Sequence, residues 1–199
     1  MKRAGGTVRK GGPRASVPRS ARAKHRLSTS TAGQAIATTP TTHRAQSNES
    51  QTPPAVLFLD IDGVLNNAAI LASRRFGPAP ICPQRCGQIL KLVDDLGCRI
   101  VLSSSWRGIP SLERKLRVAG ILERAHKDRG TPHLYDREDN RRGREIALWL
   151  SRHPQITRFA IVDDEDDMLP KQRSHFVRTN FKTGLLDRHI ARLAAILSR

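Results

Sequence analysis

Three short apolar runs in this chain end in groups able to do chemistry. AVLFL at 55–59 runs into Asp60-Ile61-Asp62-Gly63, RIVL at 99–102 into Ser103-Ser104-Ser105-Trp106-Arg107, and FAIV at 159–162 into Asp163-Asp164-Glu165. Gathered in one place, Asp60, Asp62, Asp163 and Asp164 would repel one another, and their carboxyl pKa values would rise unless a divalent cation sat among them. An all-oxygen donor set suits a hard cation, and Mg²⁺ is the one expected. Asp60 and Asp62 flank a single residue, so one carboxylate can face an electrophile while the other lies beside the leaving group. That pairing puts a nucleophile next to an acid/base. DxDG alone is also what an ordinary strand-to-turn junction uses, because Asp and Gly favour turn geometry. The information lies in the order: apolar strand and DxDG, apolar strand and Ser, basic residue on a helix, apolar strand and Asp-Asp.

Such groups meet only if the elements carrying them lie side by side. A continuous apolar run is the mark of a strand buried on both faces of a parallel sheet. Between the first two runs, PQRCGQILKLVDDLG sets Ile89, Leu92, Val93 and Leu96 at helical spacing, with Gly97 as the stop. Ser111 is expected to cap a short helix carrying Leu112 and Leu116, and a polar stretch around 128–140 leads into the helix GREIALWLSRH, with Ile146, Trp149 and Leu150 inward. HFVRT reads as a last strand, followed by a helix with Leu186, Ile190, Leu193 and Leu197 on one stripe. Alternating strands and helices give an α/β fold with a doubly wound parallel sheet, whose reactive groups collect at the carboxyl ends of the strands.

Charge divides the 199 residues in two. Lys+Arg number 35 and Asp+Glu 18, a net charge of +17. Residues 1–54 hold ten of the basic side chains against the single acid Glu49, contain no Phe, Trp or Tyr, and are rich in Gly, Pro, Ser and Thr. Such a segment cannot bury enough apolar area to offset its ordering entropy, so it reads as a disordered basic tail. It would serve as an electrostatic arm for nucleic acid, or equally as an Arg- and Ser-rich organelle-targeting leader. Residues 55–199 then form one domain, itself at +8. No apolar run approaches the ~20 residues of a membrane span, so no membrane partner is expected. Three cysteines, Cys82, Cys86 and Cys98, argue against a disulfide framework and for a reducing, cytoplasmic setting. Cys82 and Cys86 lack a second pair to complete a zinc site.

VLFLDIDGVLN, IVLSSSWR, RGREIALWL and FAIVDDEDD resemble the four motifs of the haloacid-dehalogenase (HAD) superfamily, and more closely the HAD domain of Swiss Army knife RNA repair proteins. The resemblance spans about Val56 to Leu197. It implies an Mg²⁺-dependent phosphomonoester hydrolase in which Asp60 is the nucleophile that forms a phosphoaspartyl intermediate. Asp62 would protonate the leaving oxygen and then activate water. Ser104, with Ser103 as the alternative, would bind the phosphoryl oxygens. Arg142, with Arg144 as the alternative, would neutralise phosphate charge, and Asp163 and Asp164 would complete a metal site with Asp60 and Asp62. The chain departs from the common pattern at Val64, where many relatives carry Thr, and in using Arg rather than Lys. An Arg would hold phosphate as a bidentate fork rather than a point charge.

Relatives acting on small metabolites usually carry a cap domain. The roughly twenty residues between Gly63 and Pro83, and the polar stretch 119–141, leave no room for a full one. An open crevice suits a phosphate at the end of a macromolecule, whereas a small phosphoester would lack a lid. Together with the surplus of Lys and Arg this favours a nucleic-acid end, RNA in repair or processing, as the phosphorylated partner. Trp106 would either pack the loop that holds the second motif or stack a terminal base. The competing readings are a non-catalytic HAD-fold scaffold that binds nucleic acid and a phosphatase for a small metabolite.

Overall fold

The computed structural model of the protein describes residues 54–73, 80–135, 139 and 141–199. Apart from Pro54, the basic segment 1–54 lies outside the described residues. Five parallel strands form one sheet in the order β3-β2-β1-β4-β5. They are β1 (Ala55–Leu59), β2 (Arg99–Leu102), β3 (Ala125–Gly130), β4 (Arg158–Asp163) and β5 (Phe176–Arg178). The helices are α1 (Ala68–Ser73), α2 (Pro83–Leu96), α3 (Pro110–Val118), α4 (Arg141–Ser151) and α5 (Asp187–Leu197). None of the described helices is long and apolar enough to cross a membrane.

β1 is the axis. All five of its residues are buried, and its alternating side chains feed two cores. Ala55, Leu57 and Leu59 join Ile89, Leu92 and Val93 of α2 and Leu193, Ile196 and Leu197 of α5. Val56 and Phe58 join Ile146 and Trp149 of α4, where the Phe58 and Trp149 rings meet edge to face at 5.3 Å. A strand with apolar groups on both faces is stable only with helices on both sides, which is why its sequence shows no alternation. The α2 stripe ends at Gly97, whose φ of 61° is the left-handed conformation of a helix stop.

The chain leaves β1 toward β2 and β3, then crosses to β4 on the other side of β1. The reversal opens a crevice at the carboxyl ends of β1 and β4, the position at which open α/β sheets bind ligands. Leu59 pairs with Leu102 on one side and with Val162 on the other. One residue further on, Asp60, Ser103 and Asp163 therefore emerge side by side. The Asp60 N–H donates to Val162 O (3.1 Å) and the Ser103 N–H to Leu59 O (3.0 Å).

Three local features differ from the sequence expectations. Ser111 does not cap α3. The capping position is Ile109, and Pro110 opens the helix, since its fixed φ and missing N–H suit a first turn. The polar stretch contains a strand, β3, whose side chains from His126 to Arg129 are mostly exposed. It is an edge strand, held through its backbone, so its sequence carries no apolar signature. α1 is a six-residue helix with no buried residue, between Gly63 and Pro83.

One buried ion pair ties the crevice walls together. Arg107 donates through Nε to Thr131 O (2.8 Å), through Nη1 to Ser103 O (3.2 Å) and Ser104 O (2.6 Å), and through Nη2 to Pro132 O (3.2 Å) and Glu145 Oε2 (2.5 Å). Glu145 Oε1 accepts the Leu134 N–H (3.0 Å). The loop after β2, the exit of β3 and the first turns of α4 are thereby locked to one another. Arg107→Met would leave the buried Glu145 carboxylate with the longer Arg142 contact (3.8 Å) as its one ion pair among the described residues, and four carbonyls without the guanidinium donors, and urea unfolding should show a loss of about 3–5 kcal/mol. Adding Glu145→Leu should recover the part of that loss that comes from the buried charge, and not the part from the carbonyls that lose a donor; a double variant no more stable than Arg107→Met shows that the buried charge costs nothing.

Candidate active site

Asp60 leaves β1 into a tight turn. Ile61 O accepts the N–H groups of Val64, Leu65 and Asn66 at 3.2, 2.9 and 3.3 Å. At Gly63 the turn takes φ 70°, and a Cβ there would lie 2.3 Å from Cγ of Asp164. Only glycine admits both the backbone angle and the approach of the β4 loop. The Thr179 hydroxyl closes the other side, donating to Gly63 O at 2.8 Å. Val64 is fully buried in the core, so its side chain takes no part in the crevice.

The four aspartates divide into a cluster and a separate group. Asp60, Asp163 and Asp164 place one carboxylate oxygen each within 4.8 Å of one another. Asp62 stands apart from this cluster. Its Oδ1 accepts the Asn66 side-chain amide (2.7 Å) and its Oδ2 the Trp106 indole N–H (2.9 Å), while Asn66 Oδ1 accepts the Gly63 N–H (3.0 Å). The expectation of four aspartates around one ion is thus met geometrically by three side chains. Asp62 is held by neutral donors in an orientation of its own.

Crowding shows in the ionisation of the cluster. Burial, with Asp163 and Asp62 adding to it, pushes the Asp60 carboxyl well above the usual carboxylate range, against the pull of Arg142 and of the Ser104 hydroxyl. Burial likewise lifts Asp163 to about 6, and it raises Asp164. Arg142 reaches in from the first turn of α4, with Nη2 3.5 Å from Asp60 Oδ1 and Nε 3.2 Å from Asp163 Oδ2. The second contact lacks hydrogen-bond alignment, so Asp163 Oδ2 is a buried carboxylate oxygen without a hydrogen-bond donor. Three crowded carboxylates, raised pKa values and an orphaned oxygen fit a hard divalent cation bound by oxygen ligands. Asp60, Asp163 and Asp164 are the residues that would hold it.

Ser104 is buried, its oxygen accepts the Trp106 N–H (3.3 Å) and its hydroxyl lowers the Asp60 pKa, whereas the buried Ser103 hydroxyl has no hydrogen-bond partner. Of the two candidate arginines, Arg142 contacts the carboxylates of Asp60 and Asp163. Trp106 is 4% exposed and spends its N–H on Asp62, which makes it part of the loop's packing and removes it as a stacking platform. Beside Arg142, a cavity of about 290 Å³ opens between Ser105, His133, Tyr135 and Glu145. Sequence reasoning missed Asn66, Arg107 and Glu145. Asn66 had a local signal, a polar residue directly after Val64-Leu65, but the Arg107–Glu145 pair spans 38 residues and has no such signal.

A family model describing the HAD domain in Swiss Army Knife RNA repair proteins matches residues 56–190. The chain belongs to that family. The match runs from β1 into α5 and includes every residue of the crevice. No curated protein and no solved structure gives a significant match. Cys82, Cys86 and Cys98 are buried free thiols, and burial drives Cys86 up to about 12 and Cys98 to about 11, so both stay protonated.

The raised Asp163 pKa has a thermodynamic consequence. A carboxyl near 4 in the unfolded chain and near 6 in the fold makes the folded state bind an extra proton in between. Its contribution to stability is full below about pH 4 and is lost as pH rises through about 6. In EDTA at neutral pH, Asp163→Asn should therefore melt above the wild type, and Mg²⁺ should raise the wild-type Tm more than that of the variant. Thermal scans with equal Mg²⁺ responses in the two proteins would refute a cation site at this cluster.

Proposed function

We propose that the protein is a Mg²⁺-dependent phosphatase that removes a terminal phosphate from a nucleic acid, RNA in the first place, through a phosphoaspartyl intermediate. The observation that carries the reading is the division of the carboxylates. Asp60 lies among Asp163, Asp164 and Arg142, while Asp62 is held two residues away by Trp106 and Asn66. Bound magnesium would supply positive charge against the carboxylates and the phosphoryl oxygens.

In the first step an Asp60 oxygen attacks phosphorus. The bond to the leaving oxygen breaks, and Asp62 gives that oxygen a proton. In the second step Asp62 takes a proton from water as the water attacks the phosphoaspartate, which releases inorganic phosphate and restores Asp60. Arg142 offers a guanidinium fork to the phosphoryl oxygens, and Ser104, whose hydroxyl lowers the Asp60 pKa, offers a hydroxyl. A nucleic-acid end as substrate is supported by the family's RNA repair proteins, by the open crevice and by the +8 of residues 55–199. The three buried thiols suit a reducing compartment, the cytoplasm.

Asp60→Asn should abolish phosphate release while the melting curve stays cooperative, because an amide cannot attack phosphorus. Asp62→Asn should slow the first step by roughly 10²–10⁴-fold for a ribose phosphate, and much less for nitrophenyl phosphate, whose leaving group departs without a proton. Single-turnover rates on 3′- and 5′-phosphorylated RNA and DNA, with nitrophenyl phosphate beside them, check both. Equal losses on good and poor leaving groups would remove the acid role from Asp62.

A further inference from the structure

Away from the crevice, the described surface holds a groove of about 620 Å³ between β5 and α5, where Arg173, Arg178, Arg188 and Arg192 surround Val177. Asp166 is the one acid on its wall, and it is shared by Arg173 and, at 3.6 Å, Arg178. The Arg188 and Arg192 side chains have neither a hydrogen bond nor an ion pair among the described residues. They lie one turn apart on α5, where like charges repel. Arg188 also sits in the first turn of that helix, where a cation opposes the helix dipole. The positive field is felt at His189, whose pKa is pushed down by burial and then by Arg188. The acid beside Arg188 in that turn, Asp187, accepts the Gln88 side-chain amide at 2.6 Å.

One wall of the groove touches the loop after β4. Arg178 Nε donates to the backbone oxygen of Asp164 at 3.1 Å, and Asp164 is one of the three clustered carboxylates. We propose that this arginine groove binds the phosphodiester backbone of the nucleic acid whose terminal phosphate meets Asp60. The inference rests on reading the crevice as a nucleic-acid end phosphatase, and it adds where the rest of the strand runs. Guanidinium forks match phosphate oxygens in pairs, and two cations without acidic partners take up polyanion charge without breaking existing pairs.

The test compares the full chain with Arg188→Gln/Arg192→Gln, both in Mg²⁺. Turnover of nitrophenyl phosphate should be unchanged, because neither residue touches the crevice. On an end-phosphorylated oligonucleotide, kcat/KM should fall at low salt through KM. The slope of its logarithm against the logarithm of salt concentration should become shallower by about 1.4–1.8, the value for two lost phosphate contacts. Segment 1–54 is common to both proteins and cancels. An unchanged slope would overturn the groove. If the wild type hydrolyses nitrophenyl phosphate but no nucleic-acid end, the end-phosphatase reading fails on its own. The groove is then decided by anisotropy of a dye-labelled, unphosphorylated oligonucleotide: the same loss of slope upholds it as a nucleic-acid site, and equal slopes reject it.

Discussion

The arrangement depends on a repulsion. Parallel pairing of β1 with β4 in the register Leu59 to Val162 brings Asp60 beside Asp163, and the turn at Gly63 lets Asp164 close over them. Three carboxylates held this closely, two of them buried, would destabilise the fold in their ionised form. Arg142 offsets part of that charge through contacts to both Asp60 and Asp163. The surroundings supply what the cluster needs: a glycine where no Cβ fits, and a buried Arg107–Glu145 pair that fixes the wall from which Arg142 projects. Electrostatic tension at the mouth of a rigid sheet is a means of preorganising a site for a cation and a phosphate.

Much of this was legible in the sequence because the relevant signals are short-range. AVLFL declares a strand buried on both faces, and the three polar termini after apolar runs point to one crevice as soon as the strands are taken as parallel. What was not legible depends on tertiary context. β3 has the sequence AHKDRG, which has no strand pattern because an edge strand pairs through its backbone and exposes its side chains. Ser111 looks like a cap, yet Pro110 starts the helix one residue earlier, since a proline ring favours the first turn whatever follows it. Motif spacing also could not show that the Asp62 side chain stays out of the Asp60–Asp163–Asp164 group. That outcome is set by an indole N–H arriving from 44 residues downstream.

The positive charge of residues 55–199 likewise has a structure. Arg107 and Arg142 are buried or nearly so and belong to the crevice, where they meet carboxylates. The arginines of the β5–α5 groove are separate from these, and two of them, Arg188 and Arg192, make no ion pair among the described residues. One set offsets the carboxylate charge of the site, with Arg142 the residue proposed to orient a phosphate; the other adds positive surface beside the Asp164 loop.

The central claim is that Asp60 carries the phosphoryl group between two half-reactions served by Asp62. Its most direct test is the mass of the protein after rapid mixing of Asp62→Asn with nitrophenyl phosphate and Mg²⁺, acid quenching and proteolysis. The account predicts one phosphate on the peptide containing Asp60, formed with the nitrophenolate burst and removed by hydroxylamine, as an acyl phosphate is. An unmodified Asp60 during a full burst, or phosphate on another residue, would contradict it.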